Sequence, residues 1–444
     1  MRRAFAASLL VWALHMPTKA SADEPRRALP NYDGRGEDAR PEESPLYGVP
    51  RVLLLPLYVV SEYLVRRPLG FLVTAAEKKQ LPKVLYDFFV FGEDSNYGLV
   101  PSAYLDFGLL PSVGFYFFGN DVGKKGHDLR LHAATWGEDW ISVTAKERFR
   151  FYDGYRASLR AEFTRRQDLI YAGVGPESLE SDRRRFGSNL LDLSAEFETN
   201  PARPSYVATQ LGVRTREFHE GGCCDDPSLF ADVARGLVPS PPGRGNTYQL
   251  AFTQIAGAID SRRTGVDASR SGVRLDAFVR PSFDLRHASP ASFVRFGASL
   301  GGAWEVHHRR TVSLTLGSQM VEPLGRDTDI PFTELVSEGG AGAFGGFRPG
   351  RLLGRSSAYG TVRYSWPVWV FLDGAMHATI GNVFGEHFDG LRPGNARASA
   401  GIGVRTNGAP DNYFEFLLAG GTETFDQGGR PASFRLVFGT NKGM

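Results

Sequence analysis

The 444 residues lack the repeated apolar stretches of about twenty that a polytopic helical membrane protein needs. They also lack a dominant charge. Lys and Arg number 51 against 49 Asp and Glu, a formal charge of +2, which excludes nucleic-acid attraction driven by net charge. Two cysteines cannot staple a small scaffold. No GxSxG elbow, HExxH pair or Walker loop occurs, so no catalytic residue, metal or cofactor is expected and the chain is not read as an enzyme. What it has in excess is glycine, 52 of 444 against a usual ~7%. With 12% aromatic and 23% charged residues it is not a disordered chain, and the glycines point to many short strands and turns.

Residues 1–22 read as a signal peptide cleaved after Ala22. Arg2 and Arg3 precede an apolar run from Ala4 to Leu14, and Ala20-Ser21-Ala22 is a small-residue cleavage site. Removing it takes away Arg2, Arg3 and Lys19 and no acid, which leaves 48 basic against 49 acidic residues. Residues 23–50 are polar and aperiodic and read as a flexible leader. The segment 51–98 is expected to be an amphipathic helical attachment on the periplasmic side. Pro56 to Arg67 and Pro68 to Lys79 each begin Pro-Leu and end in a basic pair, which suits two short helices bent at Pro68. Such helices fit a membrane surface, the mouth of a barrel, or ordinary packing on protein.

From Leu99 onward the hydrophobic period becomes two. Ile141, Val143, Ala145, Phe149 and Phe151 alternate with Ser142, Thr144, Lys146, Arg148 and Arg150. Tyr155 to Thr164 repeats the alternation after the hairpin signal Asp153-Gly154. About sixteen such segments are expected, at 99–107, 110–120, 127–136, 139–151, 154–166, 184–198, 203–218, 245–259, 271–284, 290–306, 310–321, 356–366, 370–381, 396–406, 412–421 and 432–438. An even number of long antiparallel strands behind an export signal predicts an all-β fold, a transmembrane β-barrel over residues 99–444. The connections after odd strands include the long ones, 167–183, 219–244, 322–355 and 382–395, whereas those after even strands are mostly short. Trp136 and Trp140 are expected in an outer aromatic girdle, and Phe151, Tyr152, Tyr155, Trp366 and Trp369 in an inner one. Arginines such as Arg130, Arg148, Arg274 and Arg280 share the inward face with Glu162, Asp192, Glu196 and Asp276, a self-neutralising wall that tolerates a wet lumen rather than a dry core.

The run Phe344-Gly-Gly-Phe-Arg-Pro-Gly-Arg-Leu-Leu-Gly354 precedes a strand beginning Ser-Ala-Tyr-Gly and is followed by Phe371-Leu-Asp-Gly-Ala375. Together with Ile259-Asp-Ser-Arg-Arg and Ser271-Gly-Val-Arg-Leu it resembles the bacterial surface-antigen barrels of the BamA/TamA-like outer-membrane assembly superfamily. The resemblance covers roughly 250–438, and 99–250 by strand count. It implies that the sixth outer loop folds into the lumen on an Arg-Gly-Phe tip. Gly346 and Phe347 match the Gly and Phe, but Gly345 stands at the Arg position. Arg348 or Arg351 are the substitutes, and Asp373 is a candidate anchor on the barrel wall. The periplasmic POTRA modules that usually accompany such barrels are not expected within 23–98. The family is thought to open at the seam between its first and last strands, where Pro101 removes a ladder donor if it lies inside the first strand.

Cys223-Cys224, beside Asp225-Asp226, suits a vicinal disulfide or a link between chains. His307-His308 reads as a solvated turn. Three functions follow as expectations. The first is a barrel acting in outer-membrane protein or lipid insertion, with outer-membrane lipids, client proteins and a periplasmic or membrane partner at residues 51–80. The second is a passive pore or surface antigen. The third, a barrel enzyme, has no motif behind it.

Overall fold

The computed structural model describes residues 81–92, 94–202, 204–243, 247–262, 271–286, 292–307, 310–325, 329–369, 372–406 and 412–442, with Tyr63 and Phe71. The expected signal peptide, the expected leader and the two helices expected at 56–79 lie outside the described residues, apart from Tyr63 and Phe71. Helix α1 spans Leu81–Phe89 and leaves Val84, Tyr86 and Phe88 exposed. The dipeptide Val90–Phe91 then pairs with the start of the first barrel strand.

Sixteen strands close into one antiparallel barrel. They are β1 Tyr97–Asp106, β2 Ser112–Gly119, β3 His127–Thr135, β4 Trp140–Tyr152, β5 Tyr155–Tyr171, β6 Arg184–Ala202, β7 Ser205–Glu220 and β8 Thr247–Asp260. The second half comprises β9 Gly272–Asp284, β10 Phe293–His307, β11 Arg310–Pro323, β12 Ser356–Trp369, β13 Leu372–Phe384, β14 Arg397–Thr406, β15 Asn412–Thr422 and β16 Pro431–Lys442. Every strand pairs with its neighbour in sequence, and β16 closes on β1. The barrel starts at Tyr97, two residues before the expected boundary. β5 runs on to Tyr171, past the expected end at 166, where a register shift between Arg166 and Leu169 interrupts the alternation.

Burial is inverted relative to a water-soluble core. Phe115, Leu159, Phe163, Leu193, Ile255, Leu300, Leu316 and Phe434 are exposed on the outside, while Asp128, Ser142, Thr144, Asp192 and Arg435 are buried within. Alternation sends one set of side chains to lipid and the other to the lumen. No described helix is long and apolar enough to cross a membrane, so the strands are the crossing elements. Phe151, Tyr152 and Tyr155 are exposed at the β4–β5 hairpin, and Tyr364 stacks on Trp366 with ring centroids 5.6 Å apart. Trp136 is exposed, but Trp140 corrects the expected outer girdle. It lies on the same face of β4 as Ser142 and Thr144, is buried, and meets the Arg166 guanidinium 5.5 Å from its ring centre. Inside, charges pair between neighbouring strands, as Arg156 with Glu198 and Arg214 with Asp192, and along one strand, as Arg160 with Glu162 and Arg274 with Asp276. These pairs let long charged side chains share a narrow lumen.

The outer mouth is closed by an apolar plug. Helix α2, Leu229–Ala234, comes from the connection between β7 and β8 and is capped by Ser228, whose hydroxyl accepts from the Ala231 amide. Its Leu229 and Phe230 pack with Ile330, Phe332 and Leu335 of the β11–β12 connection and with inward Phe186, Tyr248, Leu250 and Phe293. Phe332 is fully buried at the centre, 5.0 Å from the Phe186 ring and 5.3 Å from the Tyr171 and Phe218 rings.

Candidate functional site: the lumen loop and the seam

The β11–β12 connection turns back into the barrel instead of extending into outer solvent. Its strand pieces Val336–Glu338 and Leu352–Gly354 pair with one another, so the segment between them is a hairpin-like excursion with Phe344-Gly-Gly-Phe347 at its tip. Phe344 and Phe347 are fully buried with Leu352 and Val383. The tip is held by backbone bonds to the wall. The Gly346 amide donates to Ser399 Oγ at 2.9 Å, Ser433 Oγ donates to the Gly346 carbonyl at 2.7 Å, and Thr379 Oγ1 donates to the Ala343 carbonyl at 2.6 Å. Glycine is required on both sides of this contact. A Cβ on Gly346 would lie 2.0 Å from the Gly420 carbonyl oxygen, and one on Gly421 would lie 2.4 Å from the Phe347 ring. Gly345, where the resembling family carries Arg, faces His377, whose Nε2 is 3.0 Å from the position a Cβ would take.

The loop's ionic anchor stands on the barrel wall. Arg435, on the inward face of β16, donates to the carbonyls of Gly340 and Gly345 and binds Asp106 at the end of β1, with its Nη2 2.7 Å from Oδ2. Both partners are buried, and a charged pair at such depth holds together only with its hydrogen bonds filled, as here. One side chain thus joins the last strand, the first strand and the loop. Arg348 adds a second tie: its Nε donates to the Phe107 carbonyl at 2.7 Å, just beyond β1, and its Nη2 reaches the Phe434 carbonyl of β16 at 3.5 Å.

Arg351 is also buried. It binds Glu180 at 2.6 Å and the Ser178 hydroxyl at 2.9 Å. Arg397, at the outer end of β14, binds Glu423 and the Pro176 carbonyl. Asp373 is not the anchor of these arginines. It sits one residue into β13, at the end of the barrel opposite the Glu180 knot, around a cavity shared with Arg363, Arg405, Glu415 and His377. Glu334, in the same connection, ties the plug to the wall: Arg214 Nη1 lies 3.2 Å from both its oxygens and the Tyr248 hydroxyl 2.7 Å from one. Burial pushes this carboxyl up, but Arg214, Arg216 and the Tyr248 hydroxyl outweigh burial and bring it down to about 2, so it stays charged.

The seam itself is short. β16 pairs with β1 only where Val437, Phe438 and Gly439 face Asp106, Leu105 and Tyr104. Gly439 has φ +139°, and a Cβ there would sit 2.0 Å from the Ala103 carbonyl. Pro101 lies inside β1, opposite Phe115 of β2. The Phe107 amide points to β16, where it donates to Leu436, and so does the Ala103 amide, which donates to Thr440 Oγ1. By alternation Pro101 faces the seam too, and it has no N–H to offer.

Cys223 and Cys224 are bonded to each other in a turn whose Asp226 accepts from Arg183 and Arg185. Among the described residues no group of acids, histidines and cysteines is arranged to hold a metal.

The barrel, with a loop folded into its lumen, can be set beside solved structures. It is similar to the crystal structure of BamA from Haemophilus ducreyi lacking POTRA domains 1-3, with a TM-score of 0.54 and 11% identity, over 78% of this chain and 70% of that one. It was also matched to CdiB from Acinetobacter baumannii, at 0.48 and 12% over 78% and 60%, and to OccK11 from Pseudomonas aeruginosa, at 0.34 and 13% over 79% and 95%. The BamA likeness shows a fold: this is an outer-membrane-type β-barrel. No family model and no curated protein matches the sequence.

Among the residues singled out from sequence, Gly346, Phe347 and Arg348 come together at the loop tip and the seam, and Pro101 lies farther along β1. Arg351 shares Glu180 with Arg348, and Asp373 lines a cavity that loop residues 340–343 and 345 also line. Arg435 and Asp106 were missed, although the alternation of Phe434, Leu436 and Phe438 already puts Arg435 on the inward face.

Proposed function

We propose that this chain acts in inserting or translocating proteins or lipids at the outer membrane, with no catalytic step. The observation that carries the reading is the joint hold of one loop on both sides of the seam. Arg435 and Arg348 connect the loop, β1 and β16, while β1 and β16 pair over only three residues. A pore needs a continuous lumen but has no use for a loop clamped across a weak seam. In this reading outer-membrane lipids and client chains are the partners, and the apolar, basic-ended sequence of residues 51–80 recruits a periplasmic or membrane component.

The test is reconstitution in liposomes with and without residues 51–80. Faster insertion of a second barrel protein, lost on deletion, is the expected result. A large steady conductance with no effect on insertion overturns the proposal in favour of a passive pore.

A further inference from the structure

Many lumenal arginines have a carboxylate partner on their own or an adjacent strand. Arg280 of β9 and Arg295 of β10 do not. They stand directly opposite each other in the ladder, on the inward face, where like charges repel. Among the described residues neither guanidinium forms an ion pair. Arg295 Nη2 donates to Gln319 Oε1 at 2.9 Å and its Nε is buried without a partner, while Arg280 lies 3.8 Å over the Phe252 ring. Of the acids near them, Asp192 and Glu334 are bound by Arg214, and Glu338, which accepts from the Ser357 hydroxyl, acts on Arg295 without forming an ion pair with it. The two cations line a cavity of about 410 Å³ one inward position below Phe293 of the plug. Its other lumen-facing polar side chains include Gln254, Ser299, Gln319 and Tyr359, which supply hydroxyl and amide donors. Asp276, also on the wall, is bound by Arg274.

We propose that Arg280 and Arg295 form a binding site in the lumen for the phosphate group of a small solute or a lipid headgroup. Two guanidinium forks on adjacent strands suit a tetrahedral dianion, which offers several acceptor oxygens and cancels their mutual repulsion. The inference does not depend on the insertion reading.

The full chain in detergent micelles tests it through the thermal unfolding midpoint, with inorganic phosphate titrated against chloride at matched ionic strength. A second arm adds phosphatidic acid or phosphatidylcholine to the micelles. Phosphate is expected to raise the midpoint saturably and chloride is not. A response to phosphatidic acid alone also supports the site and assigns a lipid source. Arg280→Gln and Arg295→Gln should each weaken the response at least tenfold. Without phosphate they should melt at or above the parent temperature, because the like-charge contact is relieved; a merely structural arginine would lower it. Arg363→Gln, in the other cavity, should keep the response. Equal shifts with chloride, no saturable response, or a response retained in both variants overturns the site.

Discussion

Gly346 sets how closely the loop tip approaches the wall. Its missing side chain lets the backbone rest against Gly420, and Gly421 does the same for the Phe347 ring. Two changes probe the contact from opposite directions. Gly346→Ala overpacks it, because a methyl 2.0 Å from a carbonyl oxygen forces the tip outward at a cost of about 1–3 kcal/mol. Phe347→Ala empties it at about 3–5 kcal/mol, the range for a fully buried aromatic. In both variants the loop should loosen while the strands hold. The check is trypsin cleavage after Arg351, which is buried in the outer knot. Cleavage should speed up at least tenfold, with barrel circular dichroism unchanged.

At the level of elements the seam carries the weakest ladder. β15 and β16 pair from one end to the other, whereas β16 and β1 meet in register over three residues, supplemented by the Phe107–Leu436 and Ala103–Thr440 bonds and by Arg435 and Arg348. Arg435→Gln leaves Asp106 buried and uncompensated, a loss of about 3–5 kcal/mol concentrated on one joint. Hydrogen exchange at the Phe107 amide, which donates across the seam to Leu436, should then rise at least tenfold, with the amides between β7 and β8 unaffected. Comparable acceleration in both places would mean that the whole barrel has loosened. The strands of this joint were legible in the sequence, as were the other fourteen, because a period of two over ten residues marks both an element and its lumenal face. Depth was not legible. Asp373 was read on the correct face, yet it lies near the far end of the barrel from Arg351 and Glu180. Nor were partners: Arg351 meets Glu180, and Arg435 meets Asp106, only after closure brings remote segments together. Trp140 shows the remaining gap. Its place near a strand end suggests a girdle, but its side of the alternation takes it into the lumen.

Across the whole molecule two packed clusters fill the outer part of the lumen. One is apolar: α2 and Phe332 with the aromatic side chains of β6, β7 and β8. The other is the Phe344–Phe347 tip, fastened to β14 and β16. Sixteen strands enclose enough room for an aqueous channel, so a closed lumen requires material that fills it, and the β11–β12 connection contributes to both clusters. A passive channel and a closed barrel therefore differ in a measurable way. In planar bilayers the intact chain should conduct at less than a tenth of the level of a variant in which residues 326–350 are replaced by a short Gly-Ser linker. Phe332→Ala, which empties only the cluster around α2, should raise conductance far less than the loop replacement, because the tip still fills the β13–β16 side of the lumen. If Phe332→Ala alone opened the barrel fully, the tip would not be a barrier, and its fastening to the seam would have to be explained by the seam alone.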